Sequence, residues 1–350
     1  MMRAGLGALT ALVLFAGDAH ADKAELQKRM RSHPARQAAR WPDLSQDGPP
    51  QIAAAPKMVL DYVLVDNRLN GFQERPKPLN DVTMVRDVRK AWDSIPQAVR
   101  SRVAPRIAGV FIVRELGGSA FTEVILEGGR TVGAFLVLDG ERLSVAANRW
   151  MTWKESTPFA NGTDWLRARI APEGASDRVA GLRYVLLHEF GHVLGASAGA
   201  HPEWEPGGVL PKLNLADYPF LAISWKRRGD GLVVKQQDRR PVGLRYYASP
   251  RYKLPNRQIL SSYRWLESSS FATLYSPNSV WDDFAEAFAN YVHVVMLKQP
   301  YAIDVVNSEG VLFRYRSCWK QTRCSEKRKF LEDYLRPAAG PKKRPTQRSR

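Results

Sequence analysis

"LRYVLLHEFGHVLGAS", Leu182 to Ser197, sets two histidines and a glutamate inside an otherwise apolar run. On a helix His188 and His192 stand one turn apart, so both imidazoles project from one face toward a single point, with Glu189 beside them. This is H-E-x-x-H, the spacing with which two neutral imidazoles hold zinc while a glutamate takes a proton from zinc-bound water. The flanks predict the helix: Ser176 or Asp177 can cap its start, and Val179, Leu182, Val185, Leu186 and Val193 supply an apolar face. Gly191 and Gly195 lower helix propensity, which points to close packing against a neighbour or to room for a substrate. The competing reading is a core helix whose histidines are merely hydrogen-bonded. With 6 histidines in 350 residues, composition alone produces the pattern in about one such sequence in a hundred, so the metal reading is preferred.

A catalytic zinc takes three protein ligands, and the motif supplies two. In the longer pattern H-E-x-x-H-x-x-G-x-x-H, Gly195 fits but Ala198 stands where the last histidine belongs; His201 comes three residues late, and Met296 falls inside a predicted helix. The better source is "YSPNSVWDDFAEAFANYVH", Tyr275 to His293. There Asp282 and Glu286 lie four apart and share a helix face, one placed as a ligand and the other able to orient a ligating histidine.

On "HEFGH" at His188 to His192, "DDFAEAF" at Asp282 to Phe288, and Tyr275, the chain resembles the gluzincin metallopeptidases, among them the anthrax lethal factor catalytic domain and its relatives. The resemblance covers about a third of the domain. It implies a zincin-like fold, with His188 and His192 as zinc ligands and Glu189 as general base. It further implies Asp282 as third ligand, Glu286 behind the ligands, and Tyr275 as a hydrogen-bond donor to the transition state. The family usually carries glutamate at the third position. Asp282 is one methylene shorter, so its helix must approach the metal more closely, or Glu286 or Asp283 must take over; Asp283 points about 100° away on an ideal helix. Ser279-x-x-Asp282 also reads as a capping box that would turn Asp282 toward its own helix and leave Glu286 to the metal. His293 falls on the same face and reads as a core histidine.

The rest of the chain frames this site. Of its 350 residues 44% are apolar, enough to bury a substantial core. Met1 to Ala21 reads as a secretory signal peptide, with an apolar run ending in Ala19-His20-Ala21; no later apolar run is long enough to span a membrane. Residues 22–57 read as a linker or extended N-terminal segment, 58–336 as the catalytic domain and 337–350 as a basic disordered tail. Helical spacing from Val82 to Ala104 is broken by Pro96. "RIAGVFIVREL" and "TVGAFLVLDGERLSVAANRW" read as strands, so that an α+β domain places a small sheet ahead of two active-site helices. In an oxidising compartment Cys318 and Cys324 would form a short disulfide loop worth about 2 kcal/mol.

The formal charge of +17 suggests attraction to anionic envelope or cell-wall surfaces; nucleic acid is the weaker reading, since the one dense basic run is the tail. The expected function is that of an exported zinc metallopeptidase acting on peptides or proteins. A strand such as "GAFLVLD" could pair with an extended substrate, and the aromatic, basic segment 199–277 either flanks the cleft or forms a satellite core. "NRWMTWKESTPF", Asn148 to Phe159, is distinctive without an evident chemical role, and Glu155 in it reads as structural. Two other functions compete. An envelope-binding protein with a structural zinc would need a fourth ligand such as His201 or His293, and a zinc amidohydrolase would act on cell-wall crosslinks.

Overall fold

The sheet that carries the molecule is built on β3, whose "IAGVFIVR" is buried on both faces as befits a strand paired on both sides. The structure, a computed structural model, describes residues 22–44, 48–203, 205, 210, 212–236, 240–247 and 249–336. The expected signal peptide, the basic tail, Trp204, Asp238 and Arg239 lie outside these residues.

In chain order the first half holds α1 (22–31), β1 (Ile52–Ala54), α2 (Lys57–Asn70), β2 (Lys77–Pro78), α3 (Val82–Asp93), α4 (Gln97–Val103), β3 (Ile107–Arg114), β4 (Ala120–Glu127), β5 (Arg130–Asp139) and α5 (Ala147–Ser156). Then follow β6 (Trp165–Arg169), α6 (Arg178–Gly195), α7 (Pro219–Ser224), β7 (Trp225–Arg228), β8 (Gly231–Val234), α8 (Ile259–Ser268), α9 (Val280–Tyr291), β9 (Ala302–Asn307), β10 (Gly310–Arg316) and α10 (Ser325–Leu335). The architecture is mixed α/β of the α+β kind. A larger sheet runs β1-β3-β5-β4, with β2 added on β3; a three-stranded antiparallel sheet runs β10-β9-β6; β7 and β8 form a hairpin.

In the larger sheet β1, β3 and β5 are parallel, and β4 returns antiparallel to β5. The β4–β5 turn uses Gly128 and Gly129, both at positive φ, as a two-residue hairpin requires. One face of this sheet packs on α3 and α6, with Val88, Trp92, Val110, Leu136, Leu186 and Phe190 among the buried residues. The other face is covered by α2 and the N-terminal segment through Met30, Trp41, Val59, Tyr62, Phe111 and Phe135.

That cover revises the expected linker. Residues 22–57 contribute α1, the strand β1 and a buried Arg36, whose Nε lies 3.1 Å from Glu123 on β4, so the folded unit begins before Met58. The segment lacks a period because it is held by single anchors such as Trp41, stacked 5.4 Å from Phe135, and not by an amphipathic face. The expected strand run Thr131 to Trp150 is also shorter than read. It stops at Asp139, whose carboxylate accepts from the backbone N–H of Leu116 and Arg142 and turns the chain, and Ala147–Ser156 is helical. "GAFLVLD" lies in β5, flanked by β3 and β4, so it offers no free edge; that edge belongs to β4.

The helix ends follow their caps. Asp81 accepts from Thr83 and Met84 at the start of α3, which stops at Asp93 ahead of Pro96. Cys318 and Cys324 are disulfide-bonded beside α10. No helix among the described residues is long and apolar enough to cross a membrane.

Candidate metal centre

Asp177 starts α6 by accepting from the N–H of Ala180 at 2.8 Å, and the helix then runs buried between the sheet and α9. Its crossing with α9 is close because Gly191 faces Ala285: a Cβ on Gly191 would lie 2.4 Å from the Ala285 Cα. Space at Gly195 is filled by His201, whose Nε2 sits where a Cβ would be. Both glycines therefore serve packing and leave no room for substrate.

Three side chains converge. His188 Nε2 and His192 Nε2 are 3.1 Å apart, and Asp282 Oδ1 lies 3.9 Å from the first and 3.6 Å from the second. These are the residues among those described that could together hold an ion. Donors placed about 2.0–2.1 Å from a tetrahedral ion are about 3.4 Å from one another, so the triangle fits zinc with modest adjustment. The chemistry fits as well: two imidazoles and one carboxylate leave a fourth position open.

The two oxygens of Asp282 have separate duties. Oδ2 accepts from Ser279 Oγ at 2.7 Å and from Asn278 Nδ2 at 2.9 Å, while Ser279 Oγ accepts from the Asp282 N–H and caps α9. Oδ1 is left to face the histidines. A capping arrangement and an oxygen turned toward the histidines thus coexist on one residue. Glu286 stands apart from the triangle: its Oε1 lies 3.2 Å from His188 Nδ1, close enough for its charge to act although the pair is not aligned as a hydrogen bond. Asp283 faces away and pairs with Lys327 and Trp225. His201 lines the cleft and directs Nδ1 to the Pro202 carbonyl, and His293 is a core histidine against the carbonyls of Ile170 and Pro300; neither joins the triangle.

Glu189 lines the same cleft. Its Oε2 accepts from Thr122 Oγ1 of β4 at 2.5 Å. Burial pushes the Glu189 carboxyl above its ordinary range, with His188 and Thr122 opposing. Burial likewise raises Asp282 against His188, and it holds His192 well below the ordinary imidazole value with help from the charges of His188 and His201. These shifts disfavour the charges of the acids and of His192; a cation held there would reverse the bias on the acids and reinforce it on His192. Burial would raise Glu286 too, but the Lys154 ammonium, 3.2 Å from Oε1, and His188 outweigh it and keep the carboxyl well below its usual range.

Lys154 is the residue that the sequence did not flag. It belongs to "NRWMTWKESTPF" and is 5% exposed, between Glu286 and Glu155, each 3.2 Å from its Nζ. Glu155 also accepts from Tyr246 and Tyr263, which makes it a structural counter-charge. The Lys154 ammonium further lies 4.5 Å from the centre of the Tyr275 ring. Tyr275 stands at the turn before α9, its ring 5.6 Å from that of His188 and edge-on to Tyr246 at 4.6 Å, and it lines the cleft. A buried lysine near carboxylates has no sequence signature, and Thr122 was hidden because β4 was not anticipated.

The cleft over the triangle has a volume of about 490 Å³ and is bounded by β4, by α6 and by Arg245, Tyr246 and Tyr247 of the 199–277 segment. That segment flanks the cleft as expected, but its aromatics Trp225, Tyr263 and Trp265 join the main core and form no satellite. In comparisons with protein-family models, with curated proteins and with solved structures, nothing matches this chain.

Proposed function

We propose that the protein is an exported zinc metallopeptidase of the gluzincin type with a zincin-like catalytic core, in which His188, His192 and Asp282 hold the metal. The observation that carries the reading is the meeting, at the floor of one cleft, of a two-imidazole, one-carboxylate triangle with a separate buried carboxylate, Glu189, tethered to β4. Zinc held there supplies a Lewis acid that acidifies water and polarises a carbonyl.

The protein's own groups do the rest. Burial moves the proton affinity of Glu189 above that of an ordinary carboxylate, the direction that suits a general base, and Glu189 could return the proton to the leaving amine. Thr122 fixes which Glu189 oxygen faces the cleft. Tyr275 is placed beside His188 to donate a hydrogen bond to the oxyanion. The β4 edge can hold the peptide. Ser119 accepts from the Asp139 N–H across the β4–β5 pair, and alternation along an antiparallel pair directs the backbone groups of Ala120 and Thr122 and the carbonyl of Val124 away from β5, the Val124 N–H being taken by Glu123. These residues line the cleft, where an extended substrate would add as a further strand. The disulfide is in keeping with an oxidising compartment.

The test is zinc content together with cleavage of a broad peptide mixture and of peptidoglycan fragments, for the protein and for Glu189→Gln. One zinc per chain in both, with peptide cleavage in the parent alone, is the expected result. Zinc in both without peptide cleavage in either would refute a peptidase, and cleavage confined to peptidoglycan would make it an amidohydrolase. Absence of zinc after loading would remove the metal centre itself.

A further inference from the structure

The three-stranded sheet turns one face to the core and leaves the other open. On β6, Leu166 and Ala168 are buried while Trp165, Arg167 and Arg169 point outward. The register places Arg167 and Arg314 on either side of Asp304, and Arg169 and Arg316 on either side of Ala302. Arg314 already matches Asp304 through hydrogen bonds of 2.6 and 2.9 Å. Arg167 and Arg169 stand 3.7 and 3.9 Å from the same carboxylate as surplus cations, 60% and 46% exposed. Past the strand ends the face continues into a groove of about 1050 Å³, where Lys298 and Lys320 join Arg169 and Arg316 beside Glu173, while Arg328 is paired with Glu332 and Arg314 with Asp304. At the opposite end Val306 lies between Trp165 and Val311, and Trp165, Val311 and Leu312 are exposed large apolar residues.

Outward residues two apart on a strand are about 7 Å from each other, and β6 and β10 are about 10 Å apart across β9. Guanidinium groups on such a grid can each take a phosphate through paired N–H donors. A solvated charge cluster or an acidic polymer would need only the arginines. The exposed tryptophan and its apolar neighbours on the same face favour a surface that is phosphate outside and hydrocarbon beneath, where tryptophan settles at the boundary. We propose that the outer face of β6, β9 and β10 docks the protein on an anionic phospholipid surface. Asp282 begins α9 and the groove lies past the π-turn that ends it, about 20 Å farther along the helix axis. Docking therefore leaves the cleft clear, and the proposal does not depend on the reaction assigned to it.

The experiment is co-sedimentation of the protein with vesicles of phosphatidylcholine alone or with an equal share of phosphatidylglycerol. It is run for the parent, for the triple variant Arg167→Gln, Arg169→Gln, Arg316→Gln, and for Trp165→Ser. Arg314 is kept so that Asp304 stays paired, and zinc content with thermal melting verifies the fold. The parent should sediment with phosphatidylglycerol vesicles only, and less so as salt rises. Each arginine at such a surface changes binding about fivefold, so the triple variant should lose on the order of a hundredfold. Trp165→Ser should weaken vesicle binding while leaving the salt dependence. Parent binding to phosphatidylcholine alone, or an unaltered triple variant, would overturn the proposal. So would soluble polyglutamate that displaces the vesicles together with an unchanged Trp165→Ser, which would point to an acidic polymer.

Discussion

Glu286→Gln keeps the size of a buried side chain and removes one negative charge. Glu286 Oε1 lies 3.2 Å from His188 Nδ1 and 3.2 Å from Lys154 Nζ, so the substitution changes the back of a metal-facing imidazole without touching the triangle. Carboxylates behind ligating histidines contribute about 10–100-fold to metal affinity, or about 1.4–2.8 kcal/mol. Zinc should therefore bind that much more weakly in competition with a chromophoric chelator. Fold stability should fall less than the roughly 3–5 kcal/mol of an orphaned buried charge, because Lys154 retains Glu155 at 3.2 Å. Asp282→Asn, which alters a member of the triangle, should cost more zinc affinity than Glu286→Gln. The reverse order, with Asp282→Asn tolerated and zinc lost from Glu286→Gln, would make Glu286 the third ligand and refute the assignment. Equal affinity in Glu286→Gln and the parent would refute the orienting role.

Other consequences are equally direct. Thr122→Val removes a donor to a buried carboxylate, a bond worth about 1.5–3 kcal/mol. It should lower kcat/KM by about 10- to 100-fold and shift the acid limb of its pH profile upward, since the donor favours the charged form of Glu189; zinc content should not change. Gly191→Ala should cost about 1–3 kcal/mol in urea unfolding by forcing α6 and α9 apart. Gly174→Ala, which meets open space, should be neutral, and similar midpoints for both would contradict the close crossing. His293 is held down to about 4 by burial, against 6.5 when free. The folded form then binds fewer protons than the unfolded one between these values, so this histidine's contribution is full above about pH 6.5 and declines by up to about 3 kcal/mol as pH falls to about 4. Acids such as the half-buried Asp66, raised to about 7, act with the opposite sign, so the contribution is isolated by comparison: the urea midpoint of His293→Gln should fall less than the parent's between about pH 7 and about pH 5.

The helices of the site could be read from the sequence because their evidence is local. Asp177 and Ser279 are caps at the start of α6 and α9, and each helix carries its own spacing of polar groups on a buried face. What failed to show was tertiary in origin. β4 carries a half-exposed "AFTEVILE" whose inward residues include Glu123, buried only because Arg36 arrives from 87 residues earlier, and alternation is blurred by such a pair. Residues 22–57 looked like a linker because their order comes from partners across the sheet. Lys154 carries no local signal because one of the two carboxylates that hold it, Glu286, is 132 residues away.

The short third side chain, a departure from the family resemblance, is explained by the same helix crossing that Gly191 permits. His188 and His192 flank Gly191 on α6, and Asp282 lies one turn before Ala285 on α9, so the contact of Gly191 with Ala285 brings the two helices together beside the triangle. With the helices this close, Asp282 Oδ1 already comes within 3.9 and 3.6 Å of the two Nε2 atoms, so the shorter side chain is long enough to complete the triangle. Ser279 and Asn278 bind Oδ2 and leave Oδ1 a single direction. Aspartate therefore spans the gap, and Gly191, which has no side chain to hold the helices apart, helps set the dimension of the candidate centre.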